Sequence, residues 1–328
     1  MRPDSSKFVI NKVPFGEIHL LEIRNLGTNE YATILPEHGG SLHQICLSCH
    51  GTLHPLLWAV KDSEELYGEG ISQYRGALLS PFADRIEKGR YVFEGVVYNL
   101  PCNEANSQNA LHGFVNTEQF DVLQVETNDR QASVTLCFEY NGSVTGFPFP
   151  FIITVRYVLT ATEFGCYTCV QNKGSKNMPI GIGWHPYFQV GEDLSQYQLK
   201  IPANASFVID EAHINTGAAV PFYDGAKFLE LEDNFFFNAY RLNQINGSAK
   251  TILRDKKRML DITVTSTSFP FLQIYGVTGK GFAIEPLTCI GNAFNNGIGL
   301  NVLSPGEMMQ TNFNVNLAPM AGHSEVLA

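Results

Sequence analysis

Ser133-Val-Thr-Leu-Cys-Phe-Glu-Tyr140 and Ile152-Ile-Thr-Val-Arg-Tyr-Val-Leu159, with Asn141-Gly142 between them, decide the fold class. Successive side chains of an extended chain point to opposite faces, so Val134, Leu136, Phe138 and Tyr140 share one side of the first run. Asn-Gly between two such runs is a turn signal. The pattern recurs at Tyr91-Val-Phe-Glu-Gly-Val-Val-Tyr98 and Met259-Leu-Asp-Ile-Thr-Val-Thr265, with further turns signalled at Asp224-Gly225 and Asn246-Gly247. Asp62-Ser-Glu-Glu-Leu66 and a few similar stretches suit short helices, and none keeps an apolar period of 3.6 residues. An all-β, mostly antiparallel protein with few short helices is predicted. Without a low-complexity linker, a charge block or a fixed-period repeat, one domain over residues 1–328 is the simplest expectation.

Composition narrows the partners. The 22 Lys+Arg against 32 Asp+Glu give a net charge of −10, which argues against nucleic acid, whose binders carry a basic face. Only 16% of residues are charged while 44% are hydrophobic and 12% aromatic, so a large packed core is expected rather than disorder. Phe147-Pro-Phe-Pro-Phe-Ile-Ile-Thr-Val155, the strongest apolar stretch, is halted by Arg156, short of the roughly 18 residues that span a membrane. The start, Met1-Arg-Pro-Asp-Ser-Ser-Lys-Phe-Val-Ile10, lacks the apolar run of a signal peptide. A soluble, cytoplasmic protein without a membrane partner is the expectation.

Seven cysteines, an odd number scattered from Cys46 to Cys289, suit reduced thiols better than a disulfide framework. Cys46/Cys49 and Cys166/Cys169 have Cys-x-x-Cys spacing, but both pairs sit in strand-like alternation, where residues i and i+3 point apart. Core packing is favoured over zinc or redox chemistry. His38, His43, His50 and His54 near the first pair leave an adventitious metal open there.

Several segments place ionisable residues inside apolar or Gly-rich sequence. In Gly76-Ala-Leu-Leu-Ser-Pro-Phe-Ala-Asp-Arg-Ile-Glu-Lys-Gly-Arg90, Arg85 precedes a turn, and the plain alternative is a solvated Asp–Arg surface pair. His112 in Gln108-Asn-Ala-Leu-His-Gly-Phe114 and His185 in Gly181-Ile-Gly-Trp-His-Pro-Tyr-Phe188 each lie beside or near Gly, which allows close approach of a ligand. Core histidines are the plain alternative. Asp233 lies in the acidic turn of Leu229-Glu-Leu-Glu-Asp-Asn-Phe-Phe-Phe237, and Gln273 in Leu272-Gln-Ile-Tyr-Gly276. Glu285 interrupts the apolar run Phe282-Ala-Ile-Glu-Pro-Leu287, and a buried carboxylate needs a partner or a task. There is no dinucleotide fingerprint, P-loop, His-Glu-x-x-His or Gly-x-Ser-x-Gly, so acid–base work by His and Glu, or plain sugar binding, remains.

In order, these pieces resemble the aldose 1-epimerase (galactose mutarotase) family. The match runs through Leu35-Pro-Glu-His-Gly-Gly-Ser-Leu42, Arg85-Ile-Glu-Lys-Gly-Arg-Tyr91, Asn109-Ala-Leu-His-Gly113, His185-Pro-Tyr-Phe188, Asp233-Asn-Phe235, Gln273-Ile-Tyr275, Glu285-Pro286 and Leu303-Ser-Pro-Gly-Glu307. The resemblance implies a large antiparallel β-supersandwich, no metal or cofactor, and interconversion of the α and β anomers of an aldose sugar through its open-chain aldehyde. Glu285 matches the family's general base at the C1 hydroxyl and His185 the general acid at the ring oxygen. His112, Arg85, Asp233 and Gln273 match sugar-binding positions. Trp184, Tyr187 or Phe188 offers an apolar face. Asp84 and Trp184 stand where galactose mutarotases usually carry Asn, changes that bear on substrate preference, and the His185-Pro-Tyr-Phe188 form looks like the more divergent bacterial branches of the family. Two other readings are a hexose-6-phosphate mutarotase, with Arg75, Arg85, Lys88 and Arg90 as a phosphate clamp, and a non-catalytic sugar-binding or regulatory protein of the same fold. Either a monomer or a homodimer fits.

Overall fold

A computed structural model describes residues 7–104, 106–231, 238–277 and 279–321. Its architecture is an antiparallel β-supersandwich. A nine-stranded sheet runs in the spatial order Asp121–Thr127, Gln131–Tyr140, Phe151–Thr160, Phe164–Asn172, Met308–Pro319, Leu260–Thr267, Ser248–Asp255, Tyr197–Lys200, Leu229–Glu230. An eight-stranded sheet has Asn238–Leu242, Phe271–Val277, Gly281–Leu287, Gly183–Trp184 and Leu78–Leu79 as consecutive neighbours. A five-stranded meander, Phe8–Phe15 through Thr52–Pro55, is the third large sheet.

The alternating runs fold as their patterning requires. Gln131–Tyr140 and Phe151–Thr160 pair antiparallel along their full length, burying Val134, Leu136, Ile153, Val155 and Tyr157. One cluster of buried side chains extends from Phe8 to Val315. Each fully buried Leu, Ile, Val or Phe contributes about 1.5–3 kcal/mol to such a core.

Two expectations need correction. Tyr91–Tyr98 is not one run but a hairpin, Arg90–Phe93 against Val96–Asn99. Glu94 and Gly95 take φ of 49° and 78°, the left-handed turn that lets two-residue hairpins match strand twist. Glu-Gly is a weak sequence signal for that turn, which hid it. The Asp62–Leu66 stretch is helical but longer than its sequence suggests. Asp62 caps Ser63–Glu65 through its bond from the Glu65 amide at 2.8 Å, and the chain continues through a π-type turn at Leu66–Gly70 into Ile71–Gln73.

Candidate active site

Strand parity builds the site. Trp184 points into the sandwich, where its indole donates to Thr168 at 3.1 Å and packs on Tyr157 and Phe313 of the nine-stranded sheet. His185, the next residue, therefore projects the other way. Phe188 is fully buried with the core, whereas Tyr187 lies at 4.8 Å from the His185 ring. The strand Gly281–Leu287 is buried along its whole length. Glu285 sits directly opposite Gln273 of Phe271–Val277, so both side chains share one face.

Onto that face comes a short ribbon in which Arg85 pairs with Leu111. His112 follows in a left-handed conformation, φ 60°, and so does Asp84, φ 57°. Their main chains lock together. The His112 amide donates to the Asp84 carbonyl at 3.0 Å, and the Asp84 amide donates to His112 Nδ1 at 3.0 Å. His112 Nδ1 is thereby an acceptor, which fixes the proton of the neutral ring on Nε2. The His112 and His185 rings meet edge to face at 5.4 Å.

The central contact is between His185 Nε2 and Glu285 Oε1, 3.4 Å apart with both side chains buried. Desolvation drives His185 down from its ordinary 6.5 to about 3. Desolvation first, then the nearby Asp84 carboxylate, pushes Glu285 well above the usual carboxylate range, while Arg85 opposes the shift. His112 is held well below 6.5 by burial and by its neighbours His185 and Arg85. Burial thus favours Glu285 over His185 as the holder of a proton shared by the pair. His185 Nδ1 is buried with no hydrogen-bond partner among the described residues.

Arg85 is not part of a solvated surface pair. Its fork binds Glu104, with Nη2 at 2.7 Å and Nε at 2.9 Å from Oε1, and Nη1 reaches Asp84 at 3.2 Å. Ser107 and Asn109 donate to Glu104 and hold it in place. Arg75 is likewise engaged, at 2.7 Å from Glu65 and stacked on Trp58. Lys88 and Arg90 are exposed on the turn and hairpin that follow Arg85.

The structure therefore brings Glu285, His185, His112, Arg85 and Gln273 into one region, while Asp233 lies outside the described residues. Glu104 and Tyr74, whose ring packs on His112 at 4.5 Å, are site neighbours that sequence reasoning missed. Neither sits in a segment with a distinguishing pattern. Among the described residues no three His, Cys, Asp or Glu side chains converge as a metal group. All seven cysteines are free, and His43 is satisfied by Thr33 at 2.7 Å and the Val60 carbonyl at 2.8 Å. No described helix is long and apolar enough to cross a membrane.

Buried neutral histidines make the fold acid-labile. His38, His43, His112 and His185 all have lowered values, with burial as the leading cause. Below 6.5 the unfolded chain binds protons that the folded chain refuses, so stability falls with pH by about 1.4 kcal/mol per unit for each such group. Glu285 and Asp84, both raised in the fold by burial, act in the opposite sense between their ordinary and their folded values, two carboxyls against these four rings. The urea midpoint should drop from pH 6.5 to pH 5. An unchanged midpoint would mean that these rings take protons in the folded state.

The antiparallel β-supersandwich is the fold of galactose mutarotase-like proteins. The aldose 1-epimerase family model matches residues 22–316, and the chain belongs to that family. It is 30% identical to the Escherichia coli uncharacterized protein YihR over 253 residues, 73% of this chain and 78% of that one. Rat galactose mutarotase is 31% identical over 156 residues, covering 45% of this chain and 43% of its own length. In three dimensions, a galactose mutarotase-like protein from Clostridium acetobutylicum superimposes with a TM-score of 0.83 at 21% identity, over 96% of this chain and 99% of that one. Galactose 1-epimerase from Lactobacillus acidophilus gives 0.78 at 17% identity, over 96% and 100%. Both structural matches speak to the fold.

Proposed function

We propose that the protein is an aldose 1-epimerase that interconverts the α and β anomers of an uncharged hexose, with Glu285 as base and His185 as acid. The observation that carries this reading is the 3.4 Å contact between two buried groups whose proton affinities are pushed in opposite directions. Ring opening takes the C1 hydroxyl proton onto Glu285 as His185 delivers one to the ring oxygen. The C1–O5 bond breaks, C1=O forms, and the pair ends as a neutral carboxylic acid beside a neutral imidazole. That is the protonation state that burial of both groups favours. After rotation about C1–C2 the transfers reverse on the other face. One proton is held by the pair throughout, and each positioned group contributes about 10²–10⁴-fold. His112 Nε2–H, Arg85 and Gln273 serve the sugar hydroxyls and ring oxygen, and Asp233 is assigned to the same role.

Local charge supports an uncharged sugar over a sugar phosphate. Arg85 faces two carboxylates and Arg75 a third, which leaves neither as a free anion clamp. The presence of both members of the acid–base pair favours an enzyme over a non-catalytic sugar binder. The same proposal takes the chain as one aldose 1-epimerase-like domain, supported by its continuous buried cluster, acting in the reducing cytoplasm, supported by its free thiols.

Polarimetry of fresh α-D-glucose and α-D-galactose tests it. Mutarotation should exceed the buffer rate, and free glucose 6-phosphate should compete poorly. The rate should stay level across neutral pH, fall in base as Glu285 loses the shared proton, and fall in acid with the loss of the fold, before His185 takes up a second proton. No acceleration with any common aldose would sink the enzymatic reading.

A further inference from the structure

We infer that Glu104 is a positioning residue for Arg85: it turns the guanidinium so that one N–H on each terminal nitrogen is left for the sugar, and it ties that group to the segment carrying His112. The inference rests on the mutarotase reading above and deepens it. A guanidinium has five N–H donors in one fixed plane. Glu104 takes the Nε edge, with Nε at 2.9 Å and Nη2 at 2.7 Å from Oε1, and Asp84 takes one donor of Nη1 at 3.2 Å. Two N–H groups remain, one on Nη1 and one on Nη2, on a side chain that is still 17% exposed. Without Glu104 that plane could turn about the bonds of a long, unbranched side chain, and the lost freedom would have to be recovered at every binding event.

Glu104 is itself held on several sides. Its Oε2 accepts from the Ser107 hydroxyl and from Asn109 Nδ2 at 3.0 Å. Its amide donates to the Asn109 carbonyl at 3.2 Å, and its carbonyl accepts from the Gln108 amide at 2.8 Å. Asn109 Oδ1 in turn accepts from the Lys88 amide at 3.0 Å, in the turn that follows Arg85. Asn103, the residue before Glu104, grips Leu111, donating to its carbonyl at 3.0 Å and accepting from its amide at 2.7 Å. Leu111 pairs with Arg85 in the short ribbon and immediately precedes His112. A closed circuit therefore runs from the Arg85 side chain through Glu104, Asn103 and Leu111 back to the Arg85 main chain. Burial raises the proton affinity of the Glu104 carboxyl, but the bonds from Arg85, Ser107 and Asn109 outweigh it and hold the group below the usual carboxylate range, ionised at neutral pH. The proton-passing contact is between His185 and Glu285, so loss of Glu104 should weaken sugar binding and spare the chemistry.

Polarimetric kinetics of Glu104→Gln with glucose and galactose tests this. KM should rise about tenfold while kcat stays within about twofold of the parent, because binding is lost and the proton transfers are not. Ser107→Ala, which frees Oε2 but keeps the Arg85 pair, should raise KM by a smaller factor. In Arg85→Lys, whose ammonium lacks the fork, Glu104→Gln should add little further to KM. Additive effects in that double variant overturn the inference, and so does a lowered urea midpoint with KM unchanged. A loss confined to kcat would put Glu104 in the chemistry and overturns it as well. Crystal structures of the parent and of Glu104→Gln give a readout independent of turnover, in which the guanidinium should leave its parental orientation. If the parent turns over no aldose, the function falls and this readout alone decides: an unmoved Arg85 in Glu104→Gln overturns the positioning role.

Discussion

Glu285→Gln should lower kcat/KM for mutarotation by about 10³-fold or more while leaving the protein folded. The amide matches the carboxyl in size and hydrogen-bonding reach, so the buried strand Gly281–Leu287 keeps its packing. It cannot take up and return a proton. Without that exchange His185 has no counterpart, and the C1 hydroxyl must lose its proton to water. Stability should hold or rise, because burial disfavours charge at this position. Replacing His185 by Gln in the same protein should add little, since two groups that pass one proton fail as a unit. Polarimetry on the single and double variants reads this directly. A Glu285→Gln protein as fast as the parent would remove this residue from the chemistry.

Arg85→Ala should cost about 3 kcal/mol of stability as well as activity. The guanidinium is the common partner of Asp84 and Glu104, whose side chains are only 13% and 22% exposed. Removing it leaves two carboxylates facing each other in a poorly solvated place, the situation in which a broken buried pair becomes expensive. Arg85→Lys keeps the charge but not the fork, and should recover only part of the loss. Combining Arg85→Ala with Glu104→Gln should restore much of the urea midpoint without restoring turnover. If the double variant is as unstable as Arg85→Ala, mutual repulsion is not the cause.

Strands were legible because their signal is local. Alternation in Ser133–Tyr140 and Ile152–Leu159 survives intact in the structure, since each strand buries one face against the same core. The Arg90–Asn99 hairpin was not, because its turn depends on Glu94 accepting a positive φ that no residue preference announces. At the site, Glu285 and His185 stood out as ionisable residues inside apolar runs. Their separation, and the opposing pulls on their protons, arise only when the Gly183–Trp184 and Gly281–Leu287 strands come together. Arg85 was visible, but its surroundings were not: Glu104 reaches it from 19 residues away, out of a loop without periodicity. The exposed Asp–Arg pair that sequence allowed is in fact a half-buried three-way cluster.

The strand Met308–Pro319 stands between Phe164–Asn172 and Leu260–Thr267 in the middle of the nine-stranded sheet, yet it is the latest described strand in the chain. During synthesis on the ribosome, the flanking groups of strands must wait with their facing edges unpaired until this segment emerges. Such open edges invite pairing with other nascent chains. Closure of this sheet is therefore a late event in the life of each molecule, and the interval before it is when the protein most needs a chaperone.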